Sequence, residues 1–148
     1  MKRNFEVTRI LPFKHNLVFE QLVDFERYEQ YLPFCNASRL LNTDNKNFSQ
    51  IGELEFEVAG ASYKIKSLNI IEDDRIQITQ IKGPFEEMLA FWVVEPVDVE
   101  SCKISFKFNA KVPYFLGIFL NDTTVEKFVN IFFDSFVNDL AARNKKEN

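Results

Sequence analysis

The segment from Thr123 to about Arg143, TTVEKFVNIFFDSFVNDLAAR, sets the terms on which the whole chain can fold. Val125, Phe128, Val129, Phe132, Phe133, Phe136, Val137 and Leu140 recur at steps of three and four, which lays a broad apolar stripe along an α-helix. Glu126, Lys127, Asn130, Asp134, Asn138 and Asp139 fall on the opposite side. Thr123 and Glu126 have the spacing of a capping box, and Arg143, Lys145 and Lys146 put positive charge where the helix dipole favours it. A stripe so wide and so rich in phenylalanine must be covered by the rest of the chain.

What precedes it is mostly strand. Phe5 to Leu11 alternates Phe5, Val7 and Arg9 against Glu6 and Thr8, and Pro12 ends it. A short helix opens at His15 or Asn16, with Leu17, Val18, Phe19, Leu22 and Val23 on its apolar side. The run DFERYEQYLPFCNASRLL gathers Tyr28, Tyr31, Leu32, Phe34 and Cys35 around Pro33, which no helix interior accommodates. It predicts a short helical turn, a bend, and a strand through Ser38 to Leu41, followed by a polar loop.

From Gln50 the period is two: Leu54, Phe56 and Val58 alternate with Glu53, Glu55 and Glu57 in a half-buried strand. Gly60-Ala61 predicts a type II′ hairpin turn, which sets Glu57 opposite Lys64 and Glu55 opposite Lys66. Further strands are predicted at Tyr63–Glu72, Arg75–Lys82, Met88–Glu95 and Lys103–Ala110, the last with Ile104, Phe106 and Phe108 facing in. Pro113 stops it, and the apolar stretch Tyr114 to Leu120 predicts a helical turn. The order of strand, short helices, antiparallel strands and long helix predicts a single α+β domain over residues 1–148. Its expected architecture is a helix grip, a curved antiparallel sheet wrapped around the C-terminal helix.

The chemistry the chain carries is mostly apolar. A formal net charge of −4 argues against non-specific nucleic-acid binding, so no DNA partner is expected. Cys35 and Cys102 lie far apart with no His/Cys cluster, which argues against a metal site and predicts free thiols. MKRNFEVTRI has no apolar run after its basic residues and no segment approaches membrane-spanning length, so a cytoplasmic protein is expected. His15, the only histidine, falls at a helix start in a surface or capping role. There is no GxSxG, P-loop or GxGxxG pattern. Asp24 with Glu26, and Glu86 with Glu87, are spacings common on any surface, and Cys35 has no evident basic partner. The expectation is a protein that is not an enzyme, with no catalytic residues and no cofactor.

Seventeen phenylalanines either fill a core or line a cavity. Phe34, Phe85, Trp92, Phe128, Phe132 and Phe136 are the candidates for a lining, and ordinary close packing is the alternative. Lys103, Lys107 and Lys111 share the outer face of their strand and, with Lys64 and Lys66, could form a basic stripe for an anionic partner, but the neighbouring Glu ladder would neutralise much of it, so a solvated face is the favoured reading.

The run Phe19, Leu22, Asp24-Phe25-Glu26-Arg27-Tyr28 and Leu32-Pro33-Phe34-Cys35 resembles the signature of the coenzyme Q-binding START-like proteins. Gly83-Pro84-Phe85 with Trp92, the triplet Cys102-Lys103-Ile104, Ala59-Gly60, and Ser135-Phe136 with Ala142-Arg143 fit the same family, in order along essentially the whole chain. Three departures, Glu29 for a usual proline, Phe34 for a frequent tryptophan and Ala90-Phe91 where glycine is common, fall at the expected pocket mouth or wall.

The resemblance implies the helix-grip fold and a bound isoprenoid lipid, ubiquinone or a precursor, held between sheet and C-terminal helix. It casts Tyr28 and Tyr31 as hydrogen-bond donors to a quinone carbonyl and Leu32, Pro33 and Phe34 as the entrance. It also implies peripheral contact with the inner face of the membrane. The bacterial ribosome-association toxin branch of the family implies a second partner, a ribosomal subunit, and a second function, the blocking of subunit joining. A cyclase- or dehydratase-like enzyme is a third reading, since related helix-grip folds host such reactions.

Overall fold

A computed structural model describes residues 1–58 and 60–147, without the side chains of 145–147. Ala59 of the family resemblance, and the side-chain charges of Lys145 and Lys146 expected at the helix end, lie outside the described residues.

Seven antiparallel strands form one sheet in the order β1-β7-β6-β5-β4-β3-β2. They are β1 (Lys2–Leu11), β2 (Cys35–Asp44), β3 (Ser49–Val58), β4 (Ala61–Ile71), β5 (Arg75–Lys82), β6 (Glu87–Asp98) and β7 (Ser101–Lys111). Strands β1 and β2 are successive along the chain yet occupy opposite edges. The segment between them carries α1 (His15–Val23), a 3₁₀ turn (Phe25–Arg27) and α2 (Tyr28–Tyr31) across the concave side, where α1 lies against β6 and β7. Register shifts at Cys35/Ala37, Leu40/Asn42, Lys66/Ser67 and Pro96/Asp98 insert the extra residues that bend a sheet. After β7 come α3 (Tyr114–Phe119) and the long α4 (Asp122–Glu147). This is the helix-grip arrangement that the periodicities predict.

Two local expectations need correction. The β3–β4 hairpin pairs Val58 with Ala61, so Ala61 belongs to the strand and Gly60-Ala61 is not the turn pair. Gly60 supplies a φ of +80° just before Ala61, where a side chain would be strained. Moving the turn back by one residue shifts every partner by two: Glu57 faces Ser62, Glu55 faces Lys64 and Glu53 faces Lys66. An even shift leaves each side chain on its expected face.

The second correction concerns the start of α4. The cap is Asn121, whose Oδ1 accepts the backbone N–H of Thr124 at 2.9 Å, so Thr123 already lies inside the helix.

The main core joins α1 and α4 to the sheet. Val18 and Leu22 from α1 meet Ile76, Trp92, Val94, Cys102 and Ile104 from the strands, and Phe133, Phe136 and Leu140 from α4. A second cluster, Met88, Ala110, Val112 and Leu116, forms under α3. Among the described residues no helix is long and apolar enough to cross a membrane.

Candidate functional site

The two clusters are separated by an interior that is not sealed. Ile78 shows this most clearly: it sits on β5, the central strand, faces the helix side, and packs against both clusters, yet it remains only half-buried. A residue in that position is fully buried when a helix lies directly on it. Phe106 and Phe108 on β7, Ile65 and Tyr63 on β4, and Leu54 and Phe56 on β3 face the same way and are half-buried too.

The helix above them is graded to match. Phe133, Phe136 and Leu140, in its C-terminal half, are sealed, with Phe136 at 0% exposure. Val125, Val129 and Phe132 are half-buried, and Phe128 is 38% exposed. The apolar side chains are therefore closely covered toward the C-terminal end of α4 and retain accessible surface toward its N-terminal end.

The aromatic residues singled out from sequence fall into three groups along this gradient. Phe136 lies deepest, edge-on to Tyr31 at 6.2 Å between ring centres and stacked on Phe132 at 6.0 Å. Phe132 stacks in turn on Trp92 at 5.3 Å. Phe128 stacks at 6.0 Å on Phe34, which is 47% exposed. Leu32 is buried and Pro33 half-buried beside it. Phe85 belongs to the other cluster, edge-on to Phe108 at 5.6 Å.

Phe34 also has a φ of +65°, a conformation that costs a bulky L-residue about 1–3 kcal/mol. Its carbonyl accepts the Glu57 N–H at 2.9 Å, which fixes the turn and presents the ring to Phe128. Sequence reasoning missed Ile78, Phe106, Phe108 and Tyr63 as lining residues. Their in-facing positions were the available signal.

The two tyrosines are half-buried, with their hydroxyls turned into the protein. The Tyr28 hydroxyl donates to the Leu22 carbonyl, and burial raises its pKa well above the usual phenol value, with Tyr31 and Asp24 nearby adding to the rise. The Tyr31 hydroxyl has no partner in hydrogen-bond geometry, nor does Gln21 Oε1. Burial raises the Tyr31 pKa, and the nearby Gln21 side chain moderates the rise. Gln21, itself 0% exposed, spends its Nε2 on the Phe136 carbonyl at 3.0 Å and so ties α1 to α4.

Around this sealed end runs an ion-pair chain. Arg27 meets Asp139 at 3.1 Å, Arg143 meets Asp139 at 3.4 Å, and Arg143 meets Asp24 at 3.1 Å. Arg143 thus binds α4 to the segment after α1. Both cysteines are buried and free, and burial pushes the Cys35 thiol up to about 11.

At the open end, α3 has two unlike sides. Leu116 and Gly117 are buried, and Arg3 holds the Gly117 and Leu120 carbonyls at 2.8 Å each. Tyr114, Phe115, Ile118 and Phe119 point outward, all more than half exposed.

The lysines do not form one stripe. Lys64 and Lys66 lie on β4 and Lys103, Lys107 and Lys111 on β7, with β5 and β6 between them. Lys103 pairs with Glu95 at 3.9 Å and Lys111 with Glu86 at 3.7 Å. Lys64, Lys66 and Lys82 line an outer cleft of about 460 Å³ that Glu53 shares. Strand order, which the sequence pattern does not carry, separates the two groups.

Residues 11–133 match the family described as polyketide cyclase/dehydrase and lipid transport. The chain belongs to that family. It is 27% identical over 135 residues to the ribosome association toxin RatA of Rickettsia prowazekii, an alignment covering 88% of this chain and 85% of that protein. Its fold is similar to that of the ZhuI aromatase/cyclase from Streptomyces sp. R1128, with a TM-score of 0.83 at 18% identity over 97% of this chain and 96% of that one. It is also similar to a START superfamily protein from Mycobacterium smegmatis, with a TM-score of 0.76 at 16% identity over 98% and 99% of the two chains. At such identities the likeness to these structures is one of fold.

Proposed function

We propose that the protein is a non-enzymatic holder of an isoprenoid lipid, ubiquinone or a precursor of it, which lies between the sheet and the N-terminal half of α4. The observation that carries this reading is the half-buried Ile78 beneath α4, on the central strand of a seven-stranded sheet. Reachable apolar surface inside a fold is what a long hydrocarbon tail can cover, at about 0.8 kcal/mol per methylene withdrawn from water. Phe128 and Phe34 form the entrance, and Trp92, Phe132 and Phe106 form the wall. The fold family's association with lipid transport supports the same choice.

Delivery of such a lipid calls for contact with a bilayer, and α3 supplies a surface suited to it. The stretch Pro113 to Asn121 contains no charged residue, and Tyr114, Phe115, Ile118 and Phe119 project from it. Aromatic side chains of this kind settle at the membrane–water boundary. The protein acts in the cytoplasm and touches the inner face of the membrane through α3. On this reading the bound lipid is a ligand and no cofactor is assigned.

The second reading is a translation inhibitor that binds a ribosomal subunit, favoured by the similarity to RatA. The two are separated by two single substitutions and one charge-reversal variant. Phe128→Asp, at a partly exposed position, and the deeper Phe132→Asp are expected to abolish retention of polyprenyl lipid and leave ribosome sedimentation unchanged. Charge reversal at Lys64, Lys66, Lys103 and Lys107 is expected to leave lipid retention intact. Loss of co-sedimentation with a ribosomal subunit in the charge-reversal variant, with no lipid retained by the wild type, would reverse the choice.

A further inference from the structure

On the inner face of the sheet three buried polar side chains meet across two neighbouring strands. Gln50 on β3 and Asn69 and Ser67 on β4 face the helix side, and all three are at least nine-tenths buried. They form a directional chain: Ser67 Oγ donates to Asn69 Oδ1 at 2.9 Å, and Asn69 Nδ2 donates to Gln50 Oε1 at 3.4 Å. The chain ends on Gln50 Nε2, whose two N–H donors have no protein partner among the described residues. That nitrogen is not among the sealed-off polar atoms either.

Polar groups are costly to bury and are kept in an apolar wall only when they are bonded. Here the bonds run toward one end and leave donors over. The position is also the open one. The register carries Gln50 to Asn69, Asn69 to Ile78, Ile78 to Ala90 and Ala90 to Phe108 across five strands. Ile78 and Phe108 are the half-buried residues of the lipid site, and Ala90, the residue between them, has the smallest side chain of that row. Phe25 closes the other side of the triad. Its ring lies so near Gly52, the residue paired with Ser67, that a Cβ there would stand 2.5 Å from the ring edge. The amides therefore meet the reachable interior on the Ile78 side and an aromatic ring on the other.

We propose that the Gln50–Asn69–Ser67 chain is a head-group site, which takes a hydrogen-bond acceptor, a ring carbonyl, from a ligand whose tail runs out past Ile78 and Phe108. Ser67 fixes the Asn69 carbonyl, Asn69 fixes the Gln50 carbonyl, and the Gln50 amide is left oriented as a donor. The inference rests on the lipid-holding reading and adds the chemistry of the head group to it.

Trp92, the only tryptophan, stacks on Phe132 in the same interior, so its emission reports occupancy. The test uses the whole chain and two probes with equal tails, 2-decyl-1,4-benzoquinone and decylbenzene, which lacks the carbonyls. The quinone is followed by quenching and decylbenzene by displacement of the quinone. Gln50→Met keeps the length of the side chain and removes its donors. It is expected to weaken quinone binding about 3- to 10-fold, the worth of a hydrogen bond or two, and to leave decylbenzene within twofold. Asn69→Leu is expected to do the same.

A second readout needs no variant: the infrared C=O stretch of the bound quinone is expected at lower frequency than in hexane. An unshifted stretch, or an equal loss of both probes in the variants, would overturn the head-group site and leave the lipid reading standing. Failure of the wild type to take up either probe would overturn both.

Discussion

The two halves of α4 carry the same kind of sequence and meet different surroundings. The C-terminal half sets Phe133, Phe136 and Leu140 into a sealed core, roofed by α1 and held by Arg27, Asp139, Arg143 and Asp24. The N-terminal half sets Val125, Phe128, Val129 and Phe132 over strands it does not seal. The difference lies in what stands opposite. One end has α1 and the segment after it to complete the packing, and the other has the short α3 and the strained Phe34 turn. The same apolar stripe thus anchors the helix at one end and offers surface to a ligand at the other.

Substitution at matched positions tests that contrast most strongly. Phe136→Ala is expected to lower unfolding free energy by about 3–5 kcal/mol, the cost of a large cavity in a packed core. Phe128→Ala is expected to cost less than about 1 kcal/mol, because much of its ring is already exposed. Urea unfolding of both variants measures the difference, and equal losses would erase the distinction between the halves.

The ion-pair chain gives the next effect. Asp139 is the shared partner of Arg27 and Arg143, and its side chain is 14% exposed. Asp139→Ala is expected to cost about 1–3 kcal/mol, between the values for exposed and buried pairs. Hydrogen exchange should quicken in the C-terminal half of α4 and change little before Phe128. Uniform quickening would mean that the clamp does not act locally.

Alkaline titration probes the sealed end without mutation. Tyr28, Tyr31 and Cys35 all have folded-state pKa values raised by burial, Cys35 to about 11. The unfolded chain therefore loses these protons first. Stability is expected to be complete below about pH 8.5, near the free thiol value, and to fall as pH rises toward 11 and beyond. A flat profile across that window would show that the three groups are solvated.

The smallest effect belongs to the entrance. Phe34→Gly removes the φ strain and the stack on Phe128 together. Thermal unfolding is expected to stay within about 1 kcal/mol of the wild type, and lipid retention to drop. A large destabilisation with full retention would place the gate elsewhere.

Much of this was legible from periodicity. The stripe on α4 and the alternation in β3, β4 and β7 define the sheet, the helix and their facing sides. Local chemistry left more than one answer where a single residue decides. Gly60 serves equally as the first or second residue of a turn, and only pairing settles the register. Asn121 and Thr123 are both competent caps. Lys64 and Lys107 look like neighbours until the strand order sets β5 and β6 between them. The Gln50, Ser67 and Asn69 set was visible as polar residues at in-facing positions, but its meaning depends on their meeting across two strands. The half-burial of Ile78 and Phe132 depends on how α4 seats on the sheet, which the residue pattern alone does not set.

The most direct measurement is mass spectrometry of an organic extract from protein purified natively out of a quinone-producing host. A polyprenyl quinone or precursor near one molecule per chain is the expected result, and it should vanish in Phe128→Asp. An extract that stays empty even after incubation with excess quinone would contradict the account, and the phenylalanines beneath α4 would then be ordinary core.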